Sequence, residues 1–349
     1  MRWNDLYIEG FGSFLPDRRE IAADMVAQGR FPELEHEKTG QVSAVIARPE
    51  AGESAPEMAV TAGRAALADA GARPSDIDVL VHAVVLHNGL EAWNCGSYIQ
   101  NRLDIEDCIP IEIRTACAGG IVGMELIARW CAGSGKGLVT ASDAWQLPLF
   151  DRWASDSGLV YGDGAGAAVL GYDGGPFRLL STSVVSDPKL EQMHRGQDSL
   201  SMPYYATAAP IDLIARVAGF TQTHDIAEFW SRNSAALTRC AEVALADADS
   251  EHDDIKTWIV PNFGNVLLRK QVLEPLKIHP EQTLIDKGHT IGHTGAADPF
   301  IGLDIVRRSG TLKTGDRLLL TGIGVGFTWG CAVVEYTGVE EEEHTLDGH

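Results

Sequence analysis

One of the six cysteines has a local sequence that suits nucleophilic chemistry. Cys117 lies in the segment Thr115–Gly120 (TACAGG), which predicts that a strand ends, a tight turn holds the thiol and a helix begins. At a helix N-terminus the unpaired N–H groups and the helix dipole favour a thiolate over a thiol. A single cysteine can equally be a small buried apolar residue. This context alone leaves both interpretations open.

A second segment, Gly288–Pro299, supplies a base and a carboxylate. It is rich in glycine and threonine and contains His289, His293 and Asp298. Two histidines four residues apart bind a metal only on a regular helix, and the residues between and beside them predict a loop instead. The acid–base interpretation fits better, with one histidine facing a nucleophile and a carboxylate orienting it. Asp298 could instead cap the following helix beside Pro299.

Three further segments contain closely spaced glycine or asparagine residues. Tyr161–Leu170 is a glycine-rich turn that enters a strand, and without a following helix or lysine it predicts a structural turn rather than a phosphate loop. Val260–Asn265 places Asn262 at a strand end, where asparagine is usually a turn residue. Thr321–Gly330 places glycines in a turn between two strands, where backbone N–H groups can point at an anion.

The elements that must position these segments alternate along the chain. Apolar runs predict strands over 6–14, 79–86, 109–114, 137–142, 166–171, 257–261, 317–323 and 331–336. Helical spacing predicts helices over 58–72, 120–133, 226–246, 266–276 and 296–308. This alternation predicts an α/β layered fold with largely buried sheets. The second half repeats the order of the first, so we divide the chain into halves 1–175 and 176–349.

Composition excludes several classes of protein. The 349 residues carry 28 Lys and Arg against 49 Asp and Glu, a formal net charge of −21, which argues against binding to nucleic acid or to anionic membranes. No apolar run is long enough to span a membrane, and no secretory signal is recognised. The cysteines show no Cys-x-x-Cys pair, so we expect free thiols, no metal site and a cytoplasmic protein. The acidic run Glu340–Glu343 predicts a solvated terminus.

In their order and spacing, these segments resemble those of the thiolase superfamily, and within it the ketosynthase III type. Gly10–Pro16 is similar to the family's first strand, Cys117 stands in an Ala-Cys-Ala-Gly nucleophile motif, Tyr161–Gly166 matches Phe-Gly-Asp-Gly-Ala-Gly, and Gly324–Gly330 matches the terminal glycine-rich turn. The resemblance implies a five-layered αβαβα thiolase fold of two duplicated halves and a homodimer. It also implies an acyl-thioester on Cys117, with the backbone N–H groups of Cys117 and Val325 as the oxyanion hole.

Two positions depart from the condensing members of this family. Those members carry His in a Pro-His-Gln-Ala-Asn motif and Asn in a Gly-Asn-Thr motif, whereas here Asn262 and His293 are exchanged between the two. Decarboxylation of a malonyl thioester needs donors aimed at the thioester oxygen, and the exchanged pair should not stabilise that enolate equally well. Cys117, His293 and Asp298 could still form an acyl-transfer triad, in which Asp298 fixes the tautomer of His293 and Asn262 supports the site.

The resemblance is then to the ketosynthase-III-like acyltransferases of polyketide and aminocoumarin-type antibiotic pathways, including the cervimycin type, which moves malonyl units onto a sugar hydroxyl. It implies transfer of a malonyl-type acyl unit from a coenzyme A or carrier-protein thioester to a hydroxyl or amine of a polyketide or sugar acceptor, with no tightly bound cofactor. A decarboxylating priming ketosynthase that uses malonyl-acyl carrier protein is the main alternative. A non-catalytic partner subunit is disfavoured by the presence of Cys117 and a suitable histidine.

Recognition of the donor should require cations. Family members bind adenine through a Trp and an Arg before the Gly-Asp-Gly turn, so Arg152 and Trp153 are expected to bind substrate, as is Arg216. Because coenzyme A and phosphopantetheine are anionic, basic residues should gather at the tunnel mouth. The expected patch comprises Arg152, Arg216, Arg269 and Lys270. The segments 87–94 and 199–209, the latter with Tyr204 and Tyr205, are expected to shape the acceptor pocket.

Overall fold

A computed structural model of the chain describes residues 1–90, 92–198 and 210–338. Its strands are β1 (Tyr7–Phe14), β2 (Arg19–Ile21), β3 (Ser43–Val45), β4 (Ile77–Ala83), β5 (Ile109–Ile113), β6 (Lys136–Asp143), β7 (Gly164–Gly171), β8 (Phe177–Ser186), β9 (Ile255–Ile259), β10 (Arg317–Gly324) and β11 (Thr328–Tyr336). Its helices are α1 (Ala22–Ala27), α2 (Glu33–Thr39), α3 (Ala55–Asp69), α4 (Cys95–Arg102), α5 (Gly119–Trp130), α6 (Gln192–Arg195), α7 (Leu213–Thr221), α8 (Ile226–Asp247), α9 (Asn265–Leu268), α10 (Glu274–Leu276), α11 (Ile285–Ile291) and α12 (Asp298–Arg308).

The main sheet repeats one strand order in its two halves. The order across it is β5-β4-β6-β7-β1-β8-β11-β10-β9. β4 lies parallel to β6 in the first half, as β9 does to β10 in the second. The strand that comes last along the chain in each half, β7 or β11, lies antiparallel to both of its neighbours. The halves meet where β1 pairs with β8. This repeated order is the duplication expected from the sequence, whereas the boundary between residues 175 and 176 stays a prediction.

Helices cover and separate the two halves of the sheet. α3 packs on β1, β7 and β6 from outside, and α8 packs on β8 and β11 from the opposite side. Between them, α5 contacts β4 and β6 on one side and β10 and β11 on the other, while α12 contacts β1, β7, β9 and β10. Because both central helices are covered on two sides, α5 buries Ile121 and Met124 and α12 buries Phe300 and Leu303. The fold is the five-layered αβαβα thiolase arrangement.

The prediction of a loop around His289 is wrong. α11 runs from Ile285 to Ile291 and contains that histidine, and Gly292, with φ of 89°, follows its last residue. The glycine inside this helix is required by a tertiary contact, since a Cβ on Gly288 would lie 2.6 Å from the side-chain oxygen of Asn262. His289 and His293 therefore do not share one helix face.

None of the helices in the described ranges is both long and apolar enough to cross a membrane.

Candidate active site

Cys117 lies where the first half of the chain passes from β5 into the central helix α5. The preceding residue, Ala116, has φ of 50°, a left-handed conformation that is uncommon for a residue with a Cβ. This sharp bend starts a 3₁₀ turn over Ala116–Ala118, which leads directly into α5. The thiol is buried in the fold but lines a cavity.

A histidine and a carboxylate from the second half complete a line of three groups. His293 Nε2 is 3.0 Å from Cys117 Sγ, and His293 Nδ1 is 2.6 Å from Asp298 Oδ2. Both partners are buried, with His293 just after α11 and Asp298 at the first residue of α12. The structure thus brings together the three residues that the sequence put forward as a triad. Their catalytic roles stay predictions.

Asp298 is fixed by more than its histidine. Its carboxylate accepts hydrogen bonds from the backbone N–H groups of Asn262 and Thr294, both at 2.8 Å, and from the Thr294 hydroxyl at 2.6 Å. Burial opposes its charge, but His293 and these donors lower the pKa of Asp298 overall. Burial likewise opposes an imidazolium, yet Asp298 and Cys117 raise the pKa of His293 well above its usual value. Both directions favour a charged carboxylate facing a protonated imidazole.

The two residues predicted to support the oxyanion are placed differently. Asn262 donates its side-chain N–H groups to the Gly292 carbonyl at 3.1 Å and to Asp298 at 3.2 Å, so its amide supports the carboxylate. Val325 lies in the turn between β10 and β11, is 40% exposed and lines the cavity that holds Cys117. Its backbone role in an oxyanion hole stays a prediction.

Arg152 is not a substrate-binding residue in this structure. It is 6% exposed, and its guanidinium is 2.8 Å from the carboxylate of Asp163. It also donates to the backbone carbonyls of Val45 and Tyr161. Because all these partners are internal, Arg152 ties the Gly-Asp-Gly turn to the neighbouring strand and cannot belong to a basic rim.

Trp153 is buried, and the partly exposed Arg216 already has a partner. Trp153 is 2% exposed, packs on Phe31 with ring centroids 5.1 Å apart and donates its indole N–H to Glu20 at 2.6 Å. Arg216 pairs with Asp198 at 2.6 Å and does not line the cavity. The expected binding of substrate by Trp153 is therefore wrong, because position in a motif does not reveal a buried partner, whereas that by Arg216 stays a prediction.

The cavity at Cys117 is large and mainly apolar. Its volume is about 570 Å³. Its aromatic walls comprise Tyr161, Phe229, Trp230, Phe263 and Phe327. Of the four cations expected at its mouth, Lys270 lines it, 4.0 Å above the ring of Trp230. Lys38, which the sequence reasoning missed, also lines it and is paired with Glu35 at 2.9 Å.

A carboxylate that lines the cavity, that of Asp156, was missed. The Tyr161 hydroxyl donates to Asp156 at 2.7 Å, and the Tyr161 ring lies 5.6 Å from the imidazole of His293 between centroids. Burial raises the pKa of Asp156 to about 6, although the hydrogen bonds from Tyr161 and Ser157 oppose that rise. The available signal was the tyrosine, which stands where the family motif has phenylalanine.

Two segments were expected to shape the acceptor pocket, and the structure describes the first of them. His87, Asn88, Gly89, Leu90 and Trp93 line a different cavity, whose lining does not include Cys117, so that expectation is wrong for this segment. The segment 199–209, with Tyr204 and Tyr205, and the acidic run Glu340–Glu343 lie outside the described residues.

Two family models match the chain. Residues 111–188 match 3-Oxoacyl-[acyl-carrier-protein (ACP)] synthase III, and residues 245–336 match its C-terminal counterpart. Among curated proteins, the Beta-ketoacyl-[acyl-carrier-protein] synthase III 2 of Vibrio vulnificus (strain YJ016) is 28% identical over 80% of this chain and 75% of its own length.

Solved structures agree with these matches. The structure named ChlB3 [Aceyltransferase] is 31% identical with a TM-score of 0.89, and the alignment covers 96% of this chain and 98% of that one. The Priming beta-Ketosynthase from the R1128 Polyketide Biosynthetic Pathway is 23% identical with a TM-score of 0.76, over 95% of this chain and 96% of that one. The second likeness concerns the fold alone.

Proposed function

Because the chain belongs to the ketosynthase III-like (3-oxoacyl-[acyl-carrier-protein] synthase III) family of the thiolase superfamily, whose members are transferases, we propose that it transfers an acyl group without forming a carbon–carbon bond. The donor is a thioester of coenzyme A or of a carrier protein, and the acceptor is a hydroxyl or amine. The observation that carries this proposal is the line from Cys117 through His293 to Asp298, with contacts of 3.0 and 2.6 Å.

In the first half-reaction the Cys117 sulfur attacks the carbonyl carbon of the donor. A C–S bond to Cys117 forms, and the C–S bond to the donor thiol breaks. His293 holds the proton that Cys117 gave up and passes it to the departing sulfur, so the donor leaves as a neutral thiol. The backbone N–H groups of Cys117 and Val325 are the proposed donors to the oxyanion.

In the second half-reaction the acceptor replaces the donor. Its hydroxyl or amine gives a proton to His293 Nε2 and attacks the acyl carbon. The C–S bond to Cys117 breaks and the proton returns to the sulfur. Asp298 keeps the Nδ1 proton of His293 in place throughout, because its carboxylate lies 2.6 Å from that nitrogen.

The surroundings of His293 support acyl transfer over decarboxylative condensation. Condensation needs two donors aimed at the thioester oxygen of malonyl. Asn262, which takes the place of the family's histidine, uses its amide on Asp298 and Gly292. The neighbouring side chain, Phe263, lines the cavity and packs edge-on against His293 with centroids 5.2 Å apart. A phenyl ring offers no hydrogen bond to a developing enolate.

The lining of the cavity also bears on the acyl group. Besides His293, which contacts Asp298, the cationic side chains of the described ranges that line it are Lys38 and Lys270. Lys38 is paired with Glu35, and Lys270 lies over Trp230. A malonyl carboxylate would therefore rely on a cation that already has another contact. The apolar walls favour a bulkier, mainly hydrocarbon acyl group, and the malonyl unit expected from the resemblance becomes one arm of the test.

The remaining expectations about partners stay proposals. A homodimer is supported by the edge strand β5, whose Ile109 is 51% exposed, because exposed apolar edge strands tend to pair. We also propose a cytoplasmic location. No tightly bound cofactor is required by the two half-reactions described above.

Intact-protein mass spectrometry tests the proposal. Malonyl, acetyl and longer acyl thioesters are added to the wild type and to Cys117→Ala. We expect a covalent adduct on the wild type that the Cys117→Ala variant lacks, while both give the same circular dichroism spectrum. An adduct of unchanged size on both proteins would contradict the covalent mechanism.

The priming ketosynthase is the second candidate, since the curated relative named above is a beta-ketoacyl synthase. It predicts release of CO₂ in step with product and a β-keto product when malonyl-carrier protein is supplied. Acyl transfer predicts neither. The same reaction, followed for CO₂ and product mass, separates the two functions.

A further inference from the structure

The cavity that holds Cys117 contains an imidazole that the triad does not use. His194 lies on the short helix α6 and lines the cavity. Its ring packs on Phe327 with centroids 5.3 Å apart, and Phe327 follows the turn that contains Val325. The neighbouring walls are apolar and comprise Met193, Ile214, Val217, Ala218, Phe229 and Ile323. A polar group in such a wall requires a reason.

The Nδ1 atom of His194 is inaccessible to solvent and has no hydrogen-bond partner in residues 1–90, 92–198 and 210–338. Burial, and then the nearby Arg216, lowers the pKa of His194 to about 4, so the ring is neutral at physiological pH and carries one proton. A proton on Nδ1 would be a buried donor without an acceptor, which is the less tolerated arrangement. The proton therefore belongs on Nε2, the nitrogen left for the cavity.

The backbone of His194 is held from outside the cavity. Arg216 donates to the His194 carbonyl at 3.2 Å and pairs with Asp198 at 2.6 Å. The arginine that we expected to bind substrate therefore fixes the residue that faces the cavity. A donor held in this way is prepared to bind an acceptor without reorganising.

We propose that the Nε2–H of His194 donates a hydrogen bond to an oxygen of the acyl group carried on Cys117. The enzyme would then select bulky, mainly apolar acyl groups that carry a carbonyl or ether oxygen over hydrocarbon acyl groups of the same size. A hydrocarbon acyl group would bury the N–H without a partner, and sites built to bind a polar group discriminate against analogues that lack it. This inference rests on the proposed function, because it requires an acyl-Cys117.

The test compares matched donors. Octanoyl and isomeric oxo-octanoyl thioesters of N-acetylcysteamine, which differ only in the ketone and its position, are added separately, and the rate of adduct formation on Cys117 is measured by intact-protein mass spectrometry. We expect at least one oxo isomer to react about five- to ten-fold faster than octanoyl on the wild type. His194→Phe, which keeps a ring against Phe327, should lose this preference, and His194→Gln, which keeps an N–H donor, should retain part of it.

His224→Phe is the matched control. His224 is exposed and stacks on Phe220 with centroids 4.0 Å apart, outside the cavity lining, so its variant should keep the preference of the wild type. No preference in the wild type, or the same preference in His194→Phe, overturns the inference. Absence of any adduct refutes the proposed function instead. In that case calorimetric binding of the same thioesters to Cys117→Ala still measures the preference, and equal affinities overturn the inference.

Discussion

The carboxylate of Asp298 has more partners than a residue that only caps a helix needs. It is the first residue of α12, and it accepts hydrogen bonds from Thr294, Asn262 and His293. An amide in its place would turn N–H groups toward these donors and would no longer fix the Nδ1 proton of His293. Asp298→Asn should slow Cys117 acylation about a hundred-fold or more and lower the free energy of unfolding by about 3 kcal/mol. Rapid-quench mass spectrometry and urea unfolding measure the two effects.

This loss of stability should depend on pH. The raised pKa of His293 gives a contribution that is complete below its unfolded value of 6.5 and is lost as pH rises through the folded value. The lowered pKa of Asp298 gives one that is complete above its unfolded value of 3.8 and is lost as pH falls through the folded value. The difference between wild type and Asp298→Asn should therefore be largest between these two unfolded pKa values.

Thr294→Val is the control for Asp298→Asn. It removes the hydroxyl that lies 2.6 Å from Asp298 and keeps the carboxylate, so it should cost about 1 kcal/mol and little activity. Equal acylation rates for Asp298→Asn and the wild type, with an unchanged titration of His293 by NMR, would mean that Asp298 only supports the helix.

At the site, the nucleophile and its base could be predicted from the sequence, but the partners of the basic residues could not. Cys117 and His293 were found because the motifs that contain them, in their order and spacing, resemble those of the ketosynthase III family, whereas the local context of Cys117 alone left its role open. Arg152 was misassigned because its ion pair with Asp163 is a contact that motif position does not reveal. His194 and Asp156 were missed because each becomes notable only through its place in the lining of one cavity.

At the scale of elements, the contact between α5 and α12 sets the distance between Cys117 and His293. Cys117 lies two residues before α5, and His293 lies five residues before α12. A Cβ on Gly120 would lie 2.5 Å from the Ala296 carbonyl oxygen and 3.0 Å from the Phe300 ring. Because a backbone atom cannot move aside alone, the two helices would have to separate. Gly120→Ala should therefore destabilise the protein by about 1–3 kcal/mol and slow acylation of Cys117.

Urea unfolding and the acylation rate measure this effect, with Gly219→Ala as the control. Gly219 lies in α7, where the nearest atom to a new Cβ is 3.9 Å away. That substitution should leave stability unchanged or raise it by up to about 1 kcal/mol. Wild-type stability and rate for Gly120→Ala would show that α5 and α12 can adjust without disturbing the site.

Most of the elements that form the layers were found because their composition is apolar, although the apolar helix α7 was missed. The predicted strands correspond to β1, β4–β7 and β9–β11. The predicted helices correspond to α3, α5, α8, α9–α10 and α12. β8 was missed because its centre contains Ser181, Thr182 and Ser183, which favour a loop interpretation. These side chains are buried, and the Ser181 hydroxyl donates to the Ala244 carbonyl of α8 at 2.6 Å. Contacts with other elements thus stabilise a strand in a polar segment.

For the whole molecule, the net charge of −21 opposes the approach of an anionic donor. The basic rim that was expected to offset it is reduced, because Arg152 is buried against Asp163 and the partly exposed Arg216 is paired with Asp198. Lys38 and Lys270 remain at the cavity. Long-range repulsion by the acidic surface should therefore exceed local attraction when salt is low.

This balance predicts an unusual salt dependence. Between about 0.01 M and 0.15 M salt the screening length falls from about 30 Å to about 8 Å, so kcat/KM for an acyl-coenzyme A donor should rise. The value for the neutral N-acetylcysteamine thioester of the same acyl group should not change. Steady-state kinetics on both donors measures this, and Lys270→Gln should lower the rate with the coenzyme A donor alone. A rate with coenzyme A that falls with salt would mean that Lys38 and Lys270 outweigh the charge of the whole molecule at the mouth.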